Sequence, residues 1–255
     1  MKILVINPGA TSTKIAVFDG ENEIFRSSVE HAAQDLAHFE HVADQMPYRK
    51  ALILKALDEG GVSLSSLDAI CGRGGLLRHI PSGTYLVTDR VIEDILHPFY
   101  GEHAANLGAY IARELADPLG IPAFFVDPVC VDELTELARV SGLKGIERES
   151  FFHALNQKSV ARKTAKALGK AYEDVNLIVL HLGGGVSVAA HEKGRVVDNY
   201  NVKDDGSMGL DRPGALPVNA VVNLCFSGKT KKEIKKLIGS EAGVYSYLGT
   251  KDFRE

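Results

Sequence analysis

At 255 residues the chain is long enough for one large domain or two modest ones, and a 45% hydrophobic share allows a sizeable buried core. A net charge of −4 and a pI near 6.1 argue against nucleic acid or an anionic membrane surface as partners, since both attract basic proteins. Cys71, Cys130 and Cys225 are far apart and form no C-x-x-C pair, so neither a disulfide framework nor a zinc site is expected and a reducing cytoplasm fits.

The chain opens on Ile3-Leu4-Val5-Ile6, an apolar run that predicts a buried strand. Asn7-Pro8-Gly9-Ala10-Thr11-Ser12-Thr13-Lys14 follows as a polar loop, and Ile15-Ala16-Val17-Phe18 returns as a second strand into an Asp19-Gly20 turn. Such a loop offers backbone N–H groups, hydroxyls and a lysine to an anion, although an ordinary surface hairpin would read the same way. Glu23 to Ser28 completes a meander. No leader-like segment precedes the first strand, and no apolar run approaches bilayer length.

Residues 35–60 carry helical patterning broken at Pro47, and Leu67 to Cys71 reads as a strand running into Gly72-Arg73-Gly74-Gly75. A helix capped by Thr88 or Asp89 ends before Pro98; another is predicted over 102–116, placing His103 and Asn106 on one face. Pro122 to Val126 is a strand stopping at Asp127, and open α/β sheets place ligand groups at such strand ends. Helices are expected over 132–140 and 149–168, the latter with His153 near its start and a basic, solvated later part.

Asn176 to Leu182, Gly183-Gly184-Gly185, Val186 to Ala190 and Arg195 to Val197 then repeat the opening grammar of strand, glycine loop, strand, turn, strand. Two similar halves with facing loops imply an interdomain cleft. Because strands follow both glycine loops, neither a P-loop nor a dinucleotide fingerprint fits, since each of those opens a helix. A Gly-rich loop over 204–214 carries Arg212, and two helical stretches, Pro217 to Phe226 and the Lys-rich Lys229 to Ile238, lead to a terminal segment with no predicted element.

Five segments in this order carry a family resemblance: Asn7 to Lys14, Gly72 to Gly75, Phe152-His153-Ala154-Leu155-Asn156-Gln157, His181 to Gly185, and Gly209-Leu210-Asp211-Arg212-Pro213-Gly214. The chain resembles the butyrate and branched-chain fatty-acid kinases, which stand with acetate kinase in the sugar-kinase, heat-shock-70 and actin superfamily. The resemblance implies a two-domain α/β, actin-like (ribonuclease H-like) kinase fold, with domains over 1–150 and 151–255. It implies reversible phosphoryl transfer between ATP and a short-chain carboxylate, giving ADP and an acyl phosphate, with Mg2+ as cofactor, a cytoplasmic setting and a homodimer.

By the same resemblance Arg73 and Arg212 hold the carboxylate and the transferring phosphoryl group, and His153 donates to that group. Asn7, Ser12 and Lys14 form the first phosphate loop, and His181 with Gly183, Gly184 and Gly185 the second. Asp127 and Asn7 serve the metal, while His103 and Asn106 are weaker matches. Members of the family also run on further, with a Gly-rich adenosine loop that does not occur here, so the second domain is expected to be incomplete and to expose apolar surface. That departure keeps a second expectation in view, a catalytically inactive fragment or regulatory paralogue that binds phosphate or a partner without turnover. A sugar kinase or polyphosphatase fits the His153 and Arg212 segments less well.

Overall fold

A computed structural model of the protein describes residues 1–203, 205–252 and 254; Asp204, within the expected Gly-rich loop, lies outside the described residues. The chain divides into two compact units, Met1–Cys130 and Val131–Glu255.

In the first unit the apolar opening run becomes β1 (Lys2–Pro8), which pairs antiparallel with β2 (Ser12–Asp19), itself paired with β3 (Asn22–Glu30). β4 (Ala69–Arg73) joins the other side of β1 in parallel, then β6 (Ala123–Val126), then the short antiparallel edge strand β5 (Thr84–Leu86), giving the order β3-β2-β1-β4-β6-β5. Leu4, Ile6, Ile15, Val17, Ile70 and Phe125 are almost wholly buried, and each such side chain contributes about 2 kcal/mol through apolar burial.

Helices α1 (Ala33–Leu36), α2 (Met46–Glu59), α3 (Asp89–Leu96) and α4 (Asn106–Ala116) complete this unit. Pro47 starts α2 rather than breaking it, because the missing N–H costs nothing in a first turn. α4 packs along β1, β4 and β6, and at Gly72 it comes so close that an added Cβ would lie 2.0 Å from the Gly108 carbonyl oxygen. The glycine before Arg73 therefore lets a helix backbone seat against the strand.

Two expected helical features are absent. His103 precedes α4, with its Nδ1 accepting from Ala105 N at 3.1 Å, so it shares no helix face with Asn106. No α-helix forms over 132–140; only Leu137–Arg139 makes a 3₁₀ turn. Asp132 Oδ1 accepts from Leu134 N at 3.1 Å and Thr135 N donates to Val197 O at 3.1 Å, which takes the backbone groups a helix ladder would need.

The same segment explains why the second unit begins before residue 150. Val131 packs with Phe152, Ala154, Ala189 and Val196, and Ser150 Oγ donates to Val131 O at 2.7 Å. The sheet of this unit is the antiparallel meander β7 (Asn176–His181), β8 (Ser187–Glu192) and β9 (Arg195–Asn199), with α5 (Ala154–Ala167) against β7. Lys158 departs from the expected solvated face of α5: it is 1% exposed and donates to Glu133 Oε2 at 2.7 Å.

α6 (Val218–Cys225), α7 (Lys231–Ser240) and α8 (Gly243–Leu248) follow, the last in a segment whose sequence predicts no element. Thr230 and Glu233 form a reciprocal capping box that sets the start of α7. Ile178 and Leu180 on β7, Leu182 just after it, and Val218 and Phe226 around α6 are exposed apolar residues, in line with the expectation for this unit. Among the described residues, no helix is long and apolar enough to cross a membrane.

Candidate active site

In the first unit, β1, β4 and β6 run parallel, and three predicted residues stand at their C-terminal ends: Asn7, Arg73 and Asp127. Arg73 Nη1 donates to Asn7 Oδ1 at 3.2 Å, and partial burial pulls the guanidinium below its ordinary pKa. Lys14 lies opposite Asn7 in the β1–β2 ladder, so side chains of this pair share a sheet face. Lys14, Asn7 and Arg73 thus make a row across three strands, two cations flanking an amide.

The loop between β1 and β2 is built from behind. Arg49 on α2 is fully buried, and its five N–H donors are all engaged: with Gly9 O (2.9 Å), Ala10 O (3.2 Å), Thr13 Oγ1 (3.1 Å) and twice with Gln45 Oε1 (3.1 and 3.0 Å). His31 N donates to Thr11 O at 2.8 Å. In a trans peptide the N–H points opposite to the preceding C=O. Tying the carbonyls of residues 9, 10 and 11 to the buried Arg49 and His31 therefore turns the N–H groups of Ala10, Thr11 and Ser12 away from those partners, donors of the type an anion takes. Ser12 opens β2 beside them.

Asp127 is 2% exposed and holds a left-handed backbone, φ 38°, that a non-glycine residue rarely adopts. Its Oδ1 accepts from Ser82 Oγ at 2.6 Å and Gly83 N at 2.9 Å, which fixes the carboxylate at the strand end. One carboxylate and one amide oxygen suit magnesium, which keeps much of its water and completes its shell with phosphate oxygens. Among the described residues, no group of three or more His, Cys, Asp or Glu could hold a metal unaided. Asn106 acts on the backbone, where its Oδ1 accepts from Leu76 N at 2.8 Å and closes the turn after Gly75.

In the second unit His153 is the N-cap residue of α5 and His181 ends β7. Their rings stack at 3.6 Å between centroids and 8° between planes. His153 Nδ1 lies 2.8 Å from Ser187 Oγ, and His181 Nδ1 lies 3.0 Å from Asn156 Oδ1. Gly183, Gly184 and Gly185 follow His181 after Leu182, and the 205–214 loop folds onto them, with a Cβ on Gly209 meeting the Gly184 carbonyl oxygen at 2.7 Å. Arg212 Nη1 donates to Val202 O at 3.2 Å, and a Cβ on Gly185 would lie 3.0 Å from that Nη1, so the guanidinium rests on the glycine backbone. His153, His181, Arg212 and the glycine loop are thus one cluster.

Sequence reasoning misses Arg49, Ser187 and Gln157. Arg49 reads as one polar residue in an amphipathic helix, and the sequence holds no signal for it. Ser187 and Gln157 lie in or beside the resemblance-carrying segments, which is the available cue.

Comparison with known proteins bears on both units. A model of the acetokinase family matches residues 139–255. Butyrate kinase 1 of Clostridium acetobutylicum is 49% identical over 255 residues, covering 99% of this chain and 72% of that protein. A probable butyrate kinase of Listeria monocytogenes is 50% identical with the same coverage. The chain belongs to the acetokinase family. With it the chain stands among the ATP-dependent carboxylate kinases. The Porphyromonas gingivalis acetate kinase structure matches all of this chain and 71% of its own, at TM-score 0.75 and 22% identity. A propionate kinase from Francisella tularensis matches 99% of this chain and 71% of its own, at TM-score 0.73 and 19% identity. The fold is therefore the actin-like one that the resemblance implied.

Proposed function

We propose that this chain transfers a phosphoryl group reversibly between ATP and a short-chain carboxylate, with butyrate as the acid. The family named above supports the class of reaction, and the butyrate kinase relatives favour the acid. The observation that carries the reading is the second-unit cluster, in which His153 and Arg212 gather at a glycine loop.

In-line phosphoryl transfer asks an enzyme to position reactants and neutralise charge spread over equatorial oxygens, with no covalent nucleophile. Arg73 and Arg212 supply planar forks of donors for the carboxylate and the moving phosphoryl group. His153 donates a hydrogen bond to that group as its charge develops. The donors turned outward at Ala10, Thr11 and Ser12, with Asn7 and Lys14, receive phosphate oxygens; His181 and Gly183 to Gly185 do the same in the second unit. Asp127, with Asn7, would hold magnesium, which supplies charge neutralisation on the phosphates. The cytoplasm and a homodimer belong to the same proposal, the first favoured by three free cysteines.

The test is hydroxamate trapping of the acyl phosphate with ATP, magnesium and hydroxylamine across acetate, propionate, butyrate and isobutyrate. Butyrate is expected to give the highest kcat/KM. Folded protein that yields hydroxamate from no acid, yet binds phosphate, would select the binding-only reading instead.

A further inference from the structure

Ser187, at the start of β8 and fully buried, is the hub of a hydrogen-bond chain that runs inward from His153. The proton positions along it follow from groups with only one possible role. Gln157 Nε2 lies 3.1 Å from the Ser187 carbonyl oxygen, which only accepts, so the amide nitrogen must face Ser187 and Gln157 Oε1 must face inward. Oε1 is 3.2 Å from His191 Nε2, which therefore carries a hydrogen, leaving His191 Nδ1 to accept from Tyr172 O–H at 2.6 Å. Burial, with Lys158 nearby, lowers the His191 pKa to about 4, so this imidazole is neutral at neutral pH and the assignment holds.

At the other end Ser187 Oγ receives two N–H groups, Gln157 Nε2 at 2.9 Å and His153 backbone N at 3.2 Å. Both lone pairs of the hydroxyl are then used. Its single hydrogen is left for His153 Nδ1, 2.8 Å away.

We propose that Ser187, oriented by Gln157, fixes His153 as the neutral tautomer with its hydrogen on Nε2, so that the ring offers an N–H donor on the side away from the buried chain. The stack on His181 holds the ring plane, and the hydroxyl holds the tautomer. A protonated His153 would bring a third N–H onto an oxygen with two lone pairs, which the arrangement disfavours. Ser187 and Gln157 are thus positioning residues for a donor that requires no cationic histidine. This rests on the carboxylate-kinase reading only for the use made of that donor; the tautomer itself does not depend on it.

The experiment is a long-range 1H–15N correlation spectrum of the full chain labelled with 15N-histidine at neutral pH, with the His153 signals assigned by their loss in His153→Gln. The wild-type protein is expected to show His153 with an unprotonated Nδ1 and a protonated Nε2. Ser187→Ala is expected to introduce the Nδ1-protonated tautomer and to lower kcat for hydroxamate formation by about ten- to a hundredfold, the usual cost of losing an orienting partner, while the KM for ATP stays within about twofold. A wild-type His153 carrying its hydrogen on Nδ1 overturns the proposal, and so does a Ser187→Ala spectrum with an unchanged tautomer. If Ser187→Ala does not fold, the wild-type spectrum decides alone. Absence of kinase activity with the Nε2–H tautomer present would count against the proposed function and leave this assignment in place.

Discussion

Arg49 Nη1 donates to the carbonyl oxygen of Gly9 at 2.9 Å from a position with no solvent exposure. No carboxylate shares its hydrogen bonds; carbonyls, a threonine hydroxyl and an amide take all five donors. The guanidinium therefore acts as a fixed plug that sets the loop's peptide planes. Arg49→Met keeps the volume and removes the donors, leaving the Gly9 and Ala10 carbonyls without them. Unfolding in urea is expected to show a loss of about 3 kcal/mol, the scale for stranding buried polar groups. Phosphate or ATP affinity, read by calorimetry, should fall as well, because the Ala10 and Thr11 amides lose their aim. Wild-type affinity in a folded Arg49→Met protein would detach the plug from anion binding.

Gly185→Ala tests the second-unit cluster by the smallest possible addition. Its Cβ would lie 2.7 Å from Val202 Cγ2 and 3.0 Å from Arg212 Nη1. The arginine side chain can give way, and when it does the guanidinium leaves the glycine backbone. Overpacking of this kind costs about 1–3 kcal/mol of stability. The sharper expectation is kinetic: kcat should fall by more than the stability loss accounts for at temperatures where the variant is fully folded by circular dichroism. An unchanged kcat would mean that the Arg212 position has no bearing on turnover.

The elements that are legible in the sequence are those whose signal is local. β1 and β2 are apolar runs around a small-residue loop, and β7 and β8 repeat that pattern, so both meanders and the glycine loop between β7 and β8 can be read directly. β5 is three residues long and owes its existence to pairing with β6, which no local pattern announces. The expected helix over 132–140 lost to an Asx-type turn and a tie to β9, and the expected start at 102 lost to a local turn in which Ala105 N donates to His103 Nδ1. Arg49 reaches a loop 36 to 40 positions away in the chain, and a bond of that range has no periodicity to betray it. The charged residues of the proposed phosphate loops are readable as residue types, whereas the groups that aim them are not.

Buried neutral histidines make stability depend on pH in one direction. His191 has a folded-state pKa near 4 against an ordinary value of 6.5, through burial first and then the Lys158 charge, with Glu133 opposing. Between those values the unfolded chain binds more protons than the folded one, so stability is fully present above pH 6.5 and is lost as pH falls toward 4. His31, lowered by burial and by Arg49, acts in the same sense. The His191 contribution at neutral pH is on the order of 3 kcal/mol. Urea midpoints between pH 7 and pH 4.5 should fall steadily in the wild-type chain, and less in His191→Gln. A midpoint that holds constant across that range would contradict the buried neutral state.

Substitution of Arg212 is the test that separates binding from chemistry. Its guanidinium is held over Gly185 and tied to Val202 O at 3.2 Å, a pre-set position rather than one assembled on binding. A donor set in place before the reaction contributes most where charge is greatest, in the transition state, and one that merely held ATP would contribute equally before and during transfer. Arg212→Ala is therefore expected to lower kcat by about a hundredfold or more, the scale for removing one such donor, while the ATP dissociation constant changes by far less. Arg212→Lys keeps the charge but loses the planar fork, and should recover only part of kcat because two parallel bonds become one. The measurement is hydroxamate formation under saturating ATP and butyrate, paired with ATP binding by calorimetry. Equal losses in both quantities would assign Arg212 to nucleotide binding, and full recovery by lysine would reduce its contribution to charge alone.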